Sequence, residues 1–302
     1  MNRGRAMDDL DTRLLVDLLR DRVSPNRSLG QHFLIDDAVI SRSVDIASHA
    51  SPLDTDSHVL EIGPGPGSLT LALLRTGARV TAFEVDDESV DHLQRVFGDA
   101  EGRLDLQQAD ALEAVWPADV THIVANLPYQ ISSPVLERIQ RHHAEHPMAV
   151  VVLLLQEEFA DRMAIGRDRA ALSPLGLSLW LDFEVELDAK VPPHSFSPSP
   201  RVSSRLTSMR PVDREPGIDR RMFRTVTQHC FANRRRKLRT LLSKPPSRIG
   251  RIKGWHKQRW SEAVDTVIQA SPEGFPEGWL DLRPENLETS QWVSLVDAIS
   301  SN

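Results

Sequence analysis

The sequence predicts an α/β protein, a Rossmann-like sheet followed by a smaller all-helical C-terminal domain. Three observations carry that reading. Apolar runs of strand length recur at 58–62, 79–83, 104–108, 120–125 and 147–155, with helix-like stretches between most of them. The first run ends in Gly63-Pro64-Gly65-Pro66-Gly67, a turn that feeds directly into a helix-like segment. After Pro211 the alternation stops and the chain becomes cationic and helix-like. A chain of 302 residues accommodates both parts. The expected domains are 1–210, with an N-terminal helical extension, and 211–302.

The extension is a helix from Asp8 to Asp21, with Leu10, Leu14, Leu15, Leu18 and Leu19 on one face. Ser28-Leu29-Gly30-Gln31-His32-Phe33-Leu34 is a polar turn ending in two large apolar residues, and Asp36 caps a helix over Asp37 to His49. The strand His58 to Ile62 and its glycine turn lead to a helix from Ser68 to Thr76. Arg79 to Phe83 is a second strand ending in Glu84, and Leu104 to Gln108 a third leading to Asp110-Ala111. The fourth, Val120 to Ala125, runs into Asn126-Leu127-Pro128-Tyr129, after which Ser132, Ser133 and Pro134 mark a helix start. Pro147 to Leu155 is a fifth strand, Gln156 to Met163 a helix, and Leu175 to Glu186 carries strand-like alternation. A proline-rich connector, Val191 to Pro200, precedes a last strand from Arg201 to Met209. In the C-terminal part, Asp219 to Leu242 reads as one helix that carries Arg234 to Arg239 along its length. Trp260 to Ala270 and Trp292 to Ile299 read as further helices.

Composition excludes several classes of protein. The single cysteine, Cys230, rules out an internal disulfide framework and a multi-cysteine zinc site, and is most simply a buried small hydrophobe. The longest apolar run, Met148 to Leu155, is too short to span a bilayer, and Met1 to Asp11 has no apolar signal core. A soluble cytoplasmic protein is expected. The net charge of −7 hides an uneven distribution: Ser195 to Trp260 carries a local balance of +15, leaving −22 on the remainder. A basic segment on an acidic body can still bind a polyanion, because screening makes local charge count for more than the total. Arg234, Arg235, Arg236 and Lys237 are the densest part of that segment and the expected phosphate contacts.

The strand ends carry the chemistry. A glycine turn lets a ligand approach the backbone closely, and Glu84, 21 residues after Gly63, is placed to accept both hydroxyls of a ribose. Asp110 follows at the next strand end, where it can accept from an adenine amino group. Together these favour a nucleoside-containing cofactor. The turn's G-x-G-x-G spacing departs from the dinucleotide fingerprint. At the fourth strand end, the Asn126 amide oxygen and the Leu127 carbonyl, held extended by Pro128, can accept from an exocyclic amino group. Tyr129 can stack on a flat heterocycle. That set suits reaction at the amino nitrogen of a nucleobase. Phe196 in the connector is either a second stacking ring or an anchor for the connector.

With these residues in place the chain resembles the ribosomal RNA adenine dimethyltransferases of the small subunit. The resemblance runs from about Ser28 to Ile299. It rests on Gly30 to Leu34, Glu61 to Gly67, Glu84-Val85-Asp86, Asp110-Ala111, Asn126 to Pro134, Val191-Pro192-Pro193, Phe196 to Val202, Phe231 to Leu238 and Arg283 to Leu287. It implies a Rossmann-like S-adenosylmethionine-dependent methyltransferase sheet with a helical RNA-binding domain, and N6-dimethylation of two adjacent adenines near the 3′ end of small-subunit (16S-type) rRNA in ribosome biogenesis. Cofactor contacts are then expected at His32, Leu34, Gly63, Gly65, Glu84, Asp110, Ala111 and Asn126. Catalytic roles fall to Asn126, Leu127, Pro128 and Tyr129, and base or RNA contacts to Tyr129, Phe196, Arg234, Arg235, Arg236 and Lys237. No metal is called for. The expected partner is the immature small ribosomal subunit, met by a monomer. Glu157 and the stretch Ala171 to Leu175 depart from the family pattern and bear on RNA contacts. The competing expectations are a large-subunit rRNA adenine methyltransferase of the antibiotic-resistance type and a non-catalytic ribosome-assembly factor of the same fold. A DNA adenine methyltransferase and a nicotinamide oxidoreductase fit the motifs less well.

Overall fold

A computed structural model describes residues 7–21, 31–98, 100–165, 172–272 and 274–302. Ser28 to Gly30 of the predicted turn and Ala171 lie outside the described residues. The chain divides into two compact units: Met1–Ala160 with Val185–Pro211, and Asp161–Glu184 with Val212–Asn302. The expected division at 210 differs from this in the segment 161–184, which belongs with the C-terminal residues, and at Pro211, which belongs with the first unit.

In chain order the strands are β1 Phe33–Leu34, β2 His58–Ile62, β3 Arg79–Glu84, β4 Leu104–Gln108, β5 His122–Asn126, β6 Val150–Gln156, β7 Phe183–Val191, β8 Phe196–Ser197 and β9 Ser204–Pro211. Seven of them form one sheet in the order β4-β3-β2-β5-β6-β9-β7. β4, β3, β2, β5 and β6 are parallel, and β9 runs antiparallel to β6. Two parallel central strands are buried along nearly their whole length: all of β2, and all of β6 except Gln156. Strands covered on both faces read as continuous apolar runs, which is why these two were legible. β1 and β8 form a separate antiparallel pair, with Leu34 opposite Phe196.

The helices of the first unit are α1 Thr12–Arg20, α2 Asp37–Ala50, α3 Ser68–Arg75, α4 Asp87–Phe97, α5 Ser132–Glu145 and α6 Glu157–Asp161. Their starts follow capping chemistry. Asp36 accepts from Ala38 N–H at 3.1 Å, and Asp86 from Ser89 N–H at 3.0 Å. Gly67 enters α3 with φ +87°, and a Cβ there would sit 2.5 Å from Phe97 and 2.8 Å from Leu93. A side chain at that position would hold α3 and α4 apart.

The second unit contains α7 Pro174–Asp182, α8 Arg220–Phe231, α9 Leu238–Leu242, α10 Lys257–Ala270 and α11 Thr289–Ser300. Its core gathers Leu177, Leu181, Phe223, Val226, Cys230, Trp260 and Trp292. Two expectations are corrected here. Leu175 to Asp182 is helical, with the strand beginning only at Phe183. Ser173 caps α7 by accepting from Gly176 N–H at 2.9 Å, and Pro174 occupies its first turn. The alternating leucines misled because Leu177, Ser178, Leu179 and Leu181 are all buried, so no polar face marks the helical period. Secondly, α8 ends at Phe231, and the cationic run occupies the turns before α9 rather than a continuous helix.

Candidate active site

The parallel strands end on one cavity of about 340 Å³, and every predicted site residue of the first unit lines it. Its floor is the glycine turn. Gly63 and Gly65 adopt φ +70° and +54°, and a Cβ on Gly65 would meet the Phe33 ring at 3.1 Å. Gly63 N–H donates to the Phe83 carbonyl at 2.9 Å, and Gly65 N–H to Glu84 Oε2 at 3.1 Å. The turn is thereby pinned to the end of the neighbouring strand.

Glu84 is 6% exposed and also accepts from the backbone amides of Val85 and Asp86, at 2.9 and 3.1 Å. Burial pushes its carboxyl above the ordinary range, against the pull of those three amides. Glu61 lines the same cavity and was not among the residues singled out from the sequence. It is 1% exposed and accepts from the Thr70 hydroxyl at 2.7 Å. Burial raises it to about 8, with Glu84 adding to the rise and Thr70 opposing it. Its signal was an acid in the middle of the apolar run His58 to Ile62.

Asp110 is exposed at the mouth and accepts from Leu112 N–H at 2.8 Å. The loop behind it is tied down from two sides. Trp116 donates its indole N–H to the Ala111 carbonyl at 2.9 Å, and Arg138 donates to the carbonyls of Leu112 and Ala114.

In the same cavity, Asn126 donates from Nδ2 to the His32 carbonyl at 3.1 Å, and among the described residues nothing donates to its Oδ1, which can accept from a ligand. Leu127 continues the ladder, its N–H donating to the Leu154 carbonyl at 3.2 Å. Pro128 is extended, and Tyr129 opens a single 3-10 turn, Tyr129–Ile131. The His32 ring lies 6.0 Å from the Tyr129 ring with 31° between their planes, and His32 Nδ1 is hydrogen-bonded to the Pro198 carbonyl at 2.8 Å. Leu34 and Phe196 are both buried, and Phe196 lines the cavity while only 2% exposed. The ring therefore fastens the connector to the core, whatever else it touches.

Arg234, Arg235, Arg236 and Lys237 belong to the second unit. Arg234 lies 3.8 Å from Glu285, and Lys237 pairs with Asp281 at 2.8 Å. Arg235 and Arg236 are exposed and have no acidic partner among the described residues. Glu157, the departure noted above, is ion-paired with Lys190. Among the described residues no group of acidic, histidine and cysteine side chains could hold a metal, and no helix is long and apolar enough to cross a membrane.

The family model described as ribosomal RNA adenine dimethylase matches residues 22–251. The ribosomal RNA small subunit methyltransferase A of Rhodopseudomonas palustris is 35% identical over 254 residues, covering 81% of this chain and 87% of its own. The enzyme of the same name from a Synechococcus species is 32% identical over 284 residues, covering 90% of this chain and 95% of its own. Among solved structures, a dimethyladenosine transferase from Plasmodium falciparum superposes with TM-score 0.69 at 22% identity, over 88% of this chain and 96% of that one. The 23S rRNA methyltransferase ErmE superposes with TM-score 0.57 at 24% identity, over 88% of this chain and 98% of that one. At those identities the two structures bear on the fold alone.

Proposed function

The chain belongs to the ribosomal RNA adenine dimethylase family, and from that premise we propose that it dimethylates N6 of two adjacent adenines near the 3′ end of small-subunit rRNA. S-adenosylmethionine is the methyl donor. The substrate we infer is the immature small ribosomal subunit, met in the cytoplasm by a monomer of this chain. One observation supports the reading above all others. The Asn126 amide, oriented by its bond to His32, lines one cavity with Glu84 and Tyr129.

The cofactor supplies an electrophilic methyl on a positively charged sulfur, so the protein's contribution is position rather than activation. The cavity suits such a group. Its glycine turn keeps Cβ atoms out of the cavity, and Glu84, held by three backbone amides, offers acceptor oxygens there. Gly63, Gly65 and Glu84 would hold the nucleoside, with Asp110 and Ala111 at its base and His32 and Leu34 closing over it. A carboxylate offers about four acceptor positions. Glu84 already spends three on backbone amides. One ribose hydroxyl takes the remaining position, and a second shares with an amide.

Asn126 Oδ1 and the Leu127 carbonyl accept the two N6 hydrogens of the target adenine. Those bonds draw the nitrogen from planar, ring-conjugated geometry toward a tetrahedral form with an available lone pair. Each methyl gained costs N6 one proton, which becomes acidic as the bond to carbon forms and passes to water, so no strong side-chain base is needed. The second transfer starts from the one N6 hydrogen that remains, held by one of the two acceptors. The base leaves its helix or loop and lies against Tyr129, with the exposed Arg235 and Arg236 meeting phosphates.

Asn126→Ala tests the assignment. With labelled donor and unmethylated small subunits, transfer should fall by about a hundredfold or more, the scale of losing oriented hydrogen bonds at a reacting centre. Cofactor affinity should drop only modestly. Full dimethylation by the variant, read by mass spectrometry of the rRNA, would remove Asn126 from the role. Methylation of separated large subunits in preference to small ones would overturn the substrate assignment.

A further inference from the structure

Tyr129 carries the base-stacking role proposed above, and a stacking ring is useful only when its plane is held. Its phenol oxygen lies 2.7 Å from Ser204 Oγ. Ser204 is the first residue of β9 and is fully buried, at 0% exposure. It stands opposite Gln156 in the β6–β9 ladder, so its position is fixed by the sheet. We propose that Ser204 is a positioning residue for methyl transfer, holding the Tyr129 ring at the angle the incoming base requires. This rests on the reading of the site given above.

The geometry defines how the device works. The phenol oxygen lies on the long axis of the ring, so a bond there fixes where that axis points but leaves rotation about it. The His32 ring, 6.0 Å away at 31°, restricts that rotation. His32 is itself held through Nδ1 to the Pro198 carbonyl, and through its own carbonyl to Asn126 Nδ2. The stacking ring and the accepting amide are thus tied to one support, residues 196–204 and His32. Burial raises the Tyr129 phenol above its ordinary range, with Ser204 opposing the rise. The group therefore stays neutral and the bond to Ser204 persists across the working pH. A hydroxyl at a fully buried position is costly unless bonded, which favours the Ser204–Tyr129 contact, in which either hydroxyl can donate.

The prediction separates kcat from cofactor binding. A neutral hydrogen bond of ordinary strength corresponds to roughly a two- to tenfold effect on rate. Ser204→Ala should lower kcat on unmethylated small subunits by about that factor while the dissociation constant for S-adenosylmethionine stays unchanged. Tyr129→Phe, which keeps the ring and removes the phenol oxygen, should lower it equally. Combining the two should cause no further loss, because both remove the same bond. Ser204→Thr, which restores a hydroxyl, should recover part of the rate. Independent, multiplying losses in the double variant would overturn the proposal, since Ser204 would then act without Tyr129. An unchanged kcat in Ser204→Ala would overturn it too. Tyr129→Ala keeps this test distinct from the wider reading: full activity there would sink the stacking role itself, whereas loss there with no effect of Ser204→Ala sinks only the present inference.

Discussion

Glu61 sits at the centre of β2, where all five residues are buried, and burial lifts its carboxyl to about 8 from an ordinary value of 4.5. In the unfolded chain the same group ionises around that ordinary value. Between the two pH values the unfolded state gives up a proton that the folded state keeps, so stability is full below about 4.5 and falls as pH rises toward about 8. Glu61→Gln keeps the shape and the acceptor for Thr70 but cannot ionise. The melting temperature of the wild type, compared with this variant, should therefore decline between pH 5 and pH 8. A constant difference at the two pH values would show that Glu61 does not hold its proton when folded. At this scale the sequence displayed only part of the site. Asn126 and Glu84 were legible because each ends a strand, and Asp110 because it follows one by two residues, whereas Glu61, an acid inside an apolar run, was not singled out. Ser204 was not legible, because its partner Tyr129 lies 75 residues away and it takes both the β5–β6 and the β6–β9 pairings to bring the two together.

The glycine turn works because the helices behind it pack closely. At Gly67 two penalties coincide: φ is +87°, and a Cβ would lie 2.5 Å from Phe97 and 2.8 Å from Leu93. Left-handed backbone costs an ordinary residue about 1–2 kcal/mol, and overpacking a core adds about 1–3 kcal/mol. Gly67→Ala should therefore lose about 2–5 kcal/mol in urea unfolding. Gly102 is the control, with φ +80° and nothing within 4 Å of an added Cβ. Its alanine variant should lose only about 1–2 kcal/mol. Equal losses at the two positions would mean that the approach of α3 to α4 is not tight. The elements themselves were not equally legible. β2 and β4 have the bounds their residues predict, 58–62 and 104–108. α7 was misread because its exposed face is too small to show a helical period. The end of α8 at Phe231 was hidden because arginine and lysine are good helix formers, and no glycine or proline marks the stop.

Across the whole molecule, charge is the property that composition conceals. A chain of net −7 carries +15 between Ser195 and Trp260, and the cations there are not equivalent. Arg234 and Lys237 face Glu285 and Asp281, while Arg235 and Arg236 have no acidic partner among the described residues. Arginines without an acidic partner can each condense on a phosphate and release a counterion. For paired cations, an acid already supplies part of that neutralisation, and breaking the exposed pair releases little energy in either direction. The two classes should separate in a salt titration. Each phosphate contact contributes about 0.7 to 0.9 to the slope of log affinity against log salt. Replacing Arg235 and Arg236 with alanine should therefore flatten the slope for unmethylated small-subunit rRNA by about 1.4 to 1.8. Replacing Arg234 and Lys237 should flatten it less, although the formal charge removed is the same. Filter binding over a series of NaCl concentrations reads both slopes. Equal changes from the two pairs would mean that the ion pairs to Glu285 and Asp281 open fully on binding, and no change from either would take this turn out of the RNA interface.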